Sequence, residues 1–147
     1  MKYSDIYRLY STSQPKDAIH QALREVPVDD SDEQYEDRSP LHLACQYGDA
    51  EGVKILLERD AEPNTKDANG STPIHILGRT SADRADEDKL KEIAVMLMEH
   101  GANIPRSAKN TTALIECVRN RHFKMAEAII NSGARVNSTD LNGENVL

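Results

Sequence analysis

The chain has 147 residues, and its 18 Lys and Arg against 25 Asp and Glu give a formal net charge of −7, which argues against a sequence-independent grip on nucleic acid or an anionic membrane. With 38% hydrophobic and 29% charged residues it is no disordered polyanion, and no stretch approaches the roughly 20 apolar residues that a membrane span needs. Two cysteines, Cys45 and Cys117, are too few and too far apart for a disulfide framework or a zinc knuckle and read as reduced, buried thiols.

In chain order, the N-terminal MKYSDIYRLYSTSQ lacks an apolar run ending in a small-residue cleavage site, so no secretory signal is visible and a cytoplasmic location is expected. The stretch DIYRLYSTSQPKDAIHQAL superimposes on SPLHLACQYGDAEGVKILL, pairing Leu9 with Leu43 and Leu23 with Leu57. It reads as a capping helix pair over 1–33, with Pro15 in the first turn of its second helix and Tyr3, Tyr7 and Tyr10 on a helix that has solvent on one side. Next comes the acidic run Asp29, Asp30, Asp32, Glu33, Glu36 and Asp37, which reads as a solvated loop, with docking of a basic partner as the alternative.

Self-similarity then takes over. SPLHLACQYGDAEGVKILLERDAEPN starts at Ser39; TPIHILGRT restarts the pattern at Thr72, 33 residues on, and TALIECVRNRHFKMAEAIINSGARVN restarts it at Thr112, a further 40 residues on. The longer second spacing comes from about eight additional residues around Thr80 to Asp88. That insertion lies between the two helices of its unit and is either a partner contact or an earlier helix start capped near Asp86. A hydroxyl followed by Pro, as in Ser39-Pro40 and Thr72-Pro73, caps a first short helix, because the hydroxyl accepts an unpaired N–H and Pro has none to satisfy. A second helix follows, with Val53, Ile55, Leu56 and Leu57, or Ile93, Val95, Met96 and Leu97, crowded on one face. A unit of about 33 residues cannot bury an adequate core alone, so stability has to come from stacking on its neighbours. The polar Lys66 to Ser71 is the reversal that projects between units.

The units resemble ankyrin repeats, whose pattern runs roughly DxxGxTPLHLAAxxGHxxxVxxLLxxGADxN. Asp67, Gly70, Thr72, Pro73, Ile74 and His75 follow that order, and Gly101, Ala102 and Asn103 close the unit. The first repeat keeps Pro40, Leu41, His42, Leu43, Ala44, Gly48, Leu56 and Leu57, with Asp60 where a helix-ending Gly is usual. The third is more degenerate: Ala113 replaces Pro and Ile115 replaces His, while Gly133, Ala134 and Asn137 stay in place. The resemblance implies an all-α ankyrin-repeat solenoid of stacked helix-turn-helix units with short β-hairpin loops. Its divisions are a cap over 1–33, repeats over 34–66, 67–106 and 107–139, and the start of a fourth over 140–147.

His42 lies three residues from Cys45 on one helix face, which admits a Cys–His pair or a metal site. Activation needs a third orienting group and a cleft, and the sequence shows neither. In the family the histidine of TPLH bonds neighbouring turns, so the resemblance implies that His42 and His75 are satisfied interior groups; His20, His100 and His122 are unrelated to them by spacing. No cofactor, metal or enzymatic activity is expected.

The resemblance also implies that binding uses the hairpin tips and the exposed side of the first helices, which line a concave groove. By position these are Tyr35, Glu36, Arg38, Gln46 and Tyr47; then Ala68, Asn69, Ser71, Arg79 and Thr80; then Ala108, Lys109, Thr111, Arg119 and Asn120. Arg38, Arg79, Lys109 and Arg119 face Glu36 alone, so the groove either selects an acidic segment, with Tyr47 as an apolar anchor, or carries merely solvated cations. The expected function is non-catalytic protein binding, with a targeting or regulatory segment of a larger enzyme or effector as the alternative. Leu114, Cys117, Met125, Ile129 and Ile130 are expected to leave an apolar end uncovered, so the chain is expected to be a fragment or, if it ends at Leu147, to pair end to end.

Overall fold

The computed structural model describes residues 1–80, 85–103 and 113–131. Eight helices lie among the described residues, in four antiparallel pairs. These are α1 (Tyr3–Ser11) with α2 (Lys16–Glu25), α3 (Pro40–Gln46) with α4 (Ala50–Glu58), α5 (Pro73–Gly78) with α6 (Glu87–Glu99), and α7 (Ala113–Arg119) with α8 (Phe123–Asn131). A single 3₁₀ turn, Glu33–Tyr35, precedes α3. The odd-numbered helices pack in one row and the even-numbered in a second, each touching its counterpart in the next pair. One continuous apolar core runs along the stack from Ile6 and Leu23 through Leu43, Leu56, Leu77 and Ile93 to Leu114 and Met125, as expected of units too small to be stable singly.

The hydroxyl-Pro starts work as local chemistry dictates. Ser39 Oγ accepts the His42 N–H at 3.4 Å, the Ser39 N–H donates to His42 Nδ1 at 3.1 Å, and Pro40 opens α3. In α5 the Thr72 N–H donates to His75 Nδ1 at 3.3 Å and the Thr72 hydroxyl lies 2.8 Å from the same nitrogen. Between units, Lys66 to Ser71 reverses the chain through an Asp67 N–H to Ser71 carbonyl bond of 2.9 Å. Asp67 Oδ1 accepts the N–H groups of Asn69 and Ser71, and Gly70 takes φ +74°, where a side chain would be strained. One bond of 2.7 Å from the Ala68 N–H to the Glu36 carbonyl ties this tip to the preceding one. No strand forms among the described residues, so the hairpin is a closed turn without a ladder.

The insertion lengthens a helix. Asp86 Oδ1 accepts the Lys89 N–H at 2.8 Å, and α6 runs for 13 residues against 9 in α4 and α8. Its added first turn serves the next pair: Glu87 Oε1 accepts the Phe123 N–H at 3.0 Å, capping α8 from outside, and Asp88 pairs with Lys124 at 2.8 Å.

Several sequence expectations change. Tyr3 and Tyr10 do not face solvent; they are 1% and 3% exposed, because α1 packs against α3 as well as α2. The acidic run lies at the surface, with Asp29, Glu33 and Glu36 exposed, and in addition makes backbone bonds: Asp30 accepts the Tyr3 N–H, Asp29 the Glu62 N–H, and Asp32 the Gln34 N–H. Leu114, Cys117, Met125 and Ile129 are buried rather than left uncovered, since α7 and α8 pack back on α5 and α6. The exposed large apolar side chains of that pair are Val118, Phe123 and Ile130. Residues Gly133, Ala134, Asn137 and the start of a fourth unit lie outside the described residues.

Candidate functional site

The odd-numbered helices and the tips carry the side chains of interest. All five tyrosines of the chain gather at the first half of this row. The Tyr7 and Tyr35 rings lie 4.4 Å apart and those of Tyr3 and Tyr35 5.7 Å, both tilted, while Tyr10 stacks on Tyr47 at 4.9 Å. A cavity of about 290 Å³ opens among Tyr3, Tyr7, Gln34, Tyr35, Glu36, Arg38 and Gln46. Burial raises the Tyr3 phenol well above the usual tyrosine range, so it stays protonated. Its hydroxyl is the one buried side-chain polar atom among the described residues without a hydrogen-bond partner.

Arg38 is engaged on three sides. Nε lies 3.3 Å from Asp67 Oδ2, Nη1 donates to Gln46 Oε1 at 2.8 Å, and Nη2 lies 3.0 Å from Glu36 Oε2. One unit further on, Arg79 repeats the pattern: Nη2 donates to Ser71 Oγ at 3.0 Å and Nε lies 3.6 Å from Glu116 Oε2. Each arginine therefore bridges its own unit to the next. The groove cations at these two places are matched by carboxylates that sequence position alone did not pair with them. Arg119 is exposed at the end of α7, whereas Lys109, Thr111 and Ala108 lie outside the described residues.

Of the remaining expected contacts, Gln46 and Tyr47 are half-buried and Tyr35, Glu36, Ala68 and Asn69 border the tips. Asn120 is tied down by its side-chain amide, which donates to the Gly78 and Glu116 carbonyls. Ser71 and Thr80 do not line a surface. Ser71 is buried in the tip, and Thr80, 5% exposed, donates its hydroxyl to the Cys45 and Ile76 carbonyls.

The His42–Cys45 pairing is not made. Nδ1 of His42 receives the Ser39 N–H, which fixes the proton on Nε2, and Nε2 donates to the Ser71 carbonyl at 2.8 Å. Burial lowers the His42 pKa to about 4, pushes the Cys45 thiol well above its usual range, and with Glu116 beside it pushes the Cys117 thiol up to about 12. Both thiols are free and buried, and the raised pKa values leave little thiolate, the form that reacts. Among the described residues no cluster of three His, Cys, Asp or Glu could hold a metal, and no helix is long and apolar enough to cross a membrane.

Two histidines that spacing left aside have definite partners. His20 Nε2 lies 3.0 Å from both oxygens of Asp49, which also accepts the Tyr10 hydroxyl at 2.8 Å and the Gly52 N–H at 3.1 Å. Burial alone would raise the Asp49 carboxyl, but the bonds from Tyr10, His20 and Gly52 outweigh it and hold the pKa below the usual range. His122 donates from Nε2 to the Thr80 carbonyl at 2.8 Å. These groups join units and are structural.

The family sequence profile described as ankyrin repeats in many copies matches residues 22–77, and the single ankyrin repeat profile matches residues 109–141. The chain is 39% identical over 62 residues to a transient receptor potential cation channel subfamily A member 1 homolog of Caenorhabditis elegans, covering 42% of this chain and 5% of that protein. It is 35% identical over 107 residues to neurogenic locus notch homolog protein 1 of Xenopus tropicalis, covering 73% of this chain and 4% of that one. It is 29% identical over 124 residues to ankyrin repeat protein nuc-2 of Neurospora crassa, covering 83% and 10%. The matched stretch is thus a tenth or less of each of these relatives. Ankyrin repeats in general are protein-interaction modules and typically non-catalytic. The hydroxyl-Pro helix starts, the histidine that reaches the next tip, the stacked pairs and the two profile matches converge: this chain belongs to the ankyrin-repeat family.

Proposed function

We propose that the protein is a non-catalytic binding scaffold that holds a segment of a partner protein along its tips and the C-terminal ends of α3, α5 and α7, where Gln46, Tyr47, Arg79 and Arg119 reach the surface while the bodies of α3 and α5 are buried. The observation that carries this reading is the gathering of all five tyrosines, with a cavity of about 290 Å³, at one end of that row. Aromatic rings with polar edges are the side chains that dominate interface energetics; here Tyr7, Tyr35 and Tyr47 keep part of their surface open, backed by the buried rings of Tyr3 and Tyr10. Tyr35, Glu36, Arg38, Gln46, Tyr47 and Asn69 make the contacts at that end. An acidic residue of the partner is met at Arg119, whose cation is exposed, rather than at Arg38 or Arg79, which Asp67 and Glu116 already engage. The test is retention of a partner by the intact chain and its loss on combining Tyr47→Ala with Arg119→Glu.

A second reading draws on the relatives, in which the matching stretch makes up only 4–10% of the protein: the chain acts as the targeting or regulatory segment of a larger effector. Antibody detection of the native protein decides it, since a band near 16.4 kDa contradicts this second reading and a much larger one supports it.

A further inference from the structure

The turn from α7 to α8 holds itself in place with some of its side chains and leaves the others free. Asn120 donates its side-chain amide to the Gly78 and Glu116 carbonyls, His122 donates from Nε2 to the Thr80 carbonyl, and the His122 N–H closes on the Cys117 carbonyl at 2.8 Å. Glu87 holds the Phe123 N–H. The residues between these ties are not used by the chain: Arg119 and Arg121 are exposed and pair with no carboxylate among the described residues, unlike Arg38 and Arg79. Phe123, 58% exposed, is the most exposed large apolar side chain among the described residues, and Val118 beside Arg119 is exposed as well.

The backbone points to the same place. Arg121 stands at φ +60°, two residues past the end of its helical stretch, where the first repeat has Gly48 at φ +63° two residues past Gln46. Glycine takes that conformation freely and arginine does not. The chain therefore bears strain for a cation that gains no partner within it, and strain of this kind collects where a side chain is presented for binding. Charge then names the occupant. Two uncommitted guanidinium groups two residues apart select carboxylates, and the open Phe123 ring with Val118 takes an apolar side chain. A nucleic acid strand is the poorer match, because the chain as a whole carries a net charge of −7.

We infer that the α7–α8 turn is a docking site for an acidic partner segment in which carboxylates flank a large apolar residue, the carboxylates meeting Arg119 and Arg121 and the apolar side chain meeting Phe123. The inference rests on the reading of the protein as a binder of protein segments and adds the sequence character of the part that reaches the last helix pair.

The experiment is a two-dimensional amide NMR titration of the full chain with acetyl-Gly-Glu-Leu-Glu-Gly-amide. The Lys-Leu-Lys and Glu-Gly-Glu peptides of the same frame and a single-stranded oligothymidylate are run beside it. The Glu-Leu-Glu peptide is expected to give saturable shifts centred on Val118, Arg119, Arg121 and Phe123, with affinity about fivefold above each comparison ligand, the worth of a good exposed ion pair or a partly buried apolar side chain. Arg121→Gly is expected to weaken its binding about threefold through the lost ion pair, while leaving the melting temperature unchanged or higher, because glycine relieves the left-handed strain. Phe123→Ser, on an exposed side chain, is expected to bring the affinity down to that of the Glu-Gly-Glu peptide. The inference is overturned by an absence of saturable shifts at this turn, by the Lys-Leu-Lys peptide or the oligothymidylate binding as tightly, or by an Arg121→Gly variant that keeps full affinity. Retention of a cellular partner by the parent chain is read without these peptides. The scaffold reading can therefore stand where the turn fails, and fail where the turn binds, so the two failures are told apart.

Discussion

Nε of Arg38, beside the start of α3, lies 3.3 Å from Oδ2 of Asp67 in the next tip, and that carboxylate is fully buried. The contact turns a groove arginine into a strut between units, and Arg79 with Glu116 does the same one step along. Charge reversals in this row therefore separate into two kinds. Arg79→Glu sets a carboxylate against Glu116 and is expected to lower stability by about 1 kcal/mol, the side chains being partly solvated. Arg119→Glu, on an exposed side chain, is expected to leave the urea midpoint unchanged. Equal midpoints for the two variants would contradict the strut.

His42 makes stability depend on mild acid. Its folded pKa of about 4 lies below the ordinary 6.5, so between those values the unfolded chain binds a proton that the folded chain refuses. Stability is therefore complete above about pH 6.5 and falls as the pH drops toward 4, by roughly 3 kcal/mol from this group. Urea unfolding at pH 7 and pH 4.5 reads it. His42→Ala, which strands the Ser39 N–H and the Ser71 carbonyl, is expected to cost about 3 kcal/mol at pH 7 and to flatten that dependence.

Much of this architecture was legible because it is local. The hydroxyl-Pro starts of α3 and α5, the apolar faces of α4 and α6, and the Asp86 cap of the lengthened α6 each depend on residues within a turn or two of one another. The struts were not legible: Arg38 and Asp67 are 29 residues apart, and position in a repeat tells which side chains share a surface but not which carboxylate neutralises which cation. The same holds for Asp49, whose partners Tyr10 and His20 come from the first pair. Tyr3 and Tyr10 were misplaced because half-polar rings on a terminal helix suggest solvent, whereas their apolar bodies fill the space between α1 and its neighbours.

Gly52 is required by that Asp49 junction. A Cβ there would stand 2.7 Å from Asp49 Oδ2 and 2.9 Å from the Tyr10 hydroxyl. Gly52→Ala is expected to break the bond between them and destabilise by about 2 kcal/mol, despite the better helix propensity of Ala. A variant as stable as the parent in urea would show that the junction yields freely.

Asp60 holds the left-handed conformation, φ +64°, at the end of α4, where Gly101 at the end of α6 takes φ +95° without strain. Its carboxylate also faces the negative end of the helix dipole. Asp60→Gly is expected to stabilise by up to about 1 kcal/mol, the relief of the left-handed penalty less the added entropy of the unfolded chain, and calorimetry should show a higher melting temperature.

The central claim is that the tyrosine-headed row of α3, α5 and α7 is the working surface. Immobilised chain is offered cell extract in three forms: the parent, the combined Tyr47→Ala and Arg119→Glu variant, and an outer-row control combining Lys54→Glu with Lys91→Glu on exposed positions of α4 and α6. Bound proteins are compared by quantitative mass spectrometry. The account predicts a partner retained by the parent and the control and lost by the first variant. A partner retained equally by all three, or lost only from the outer-row control, would contradict it.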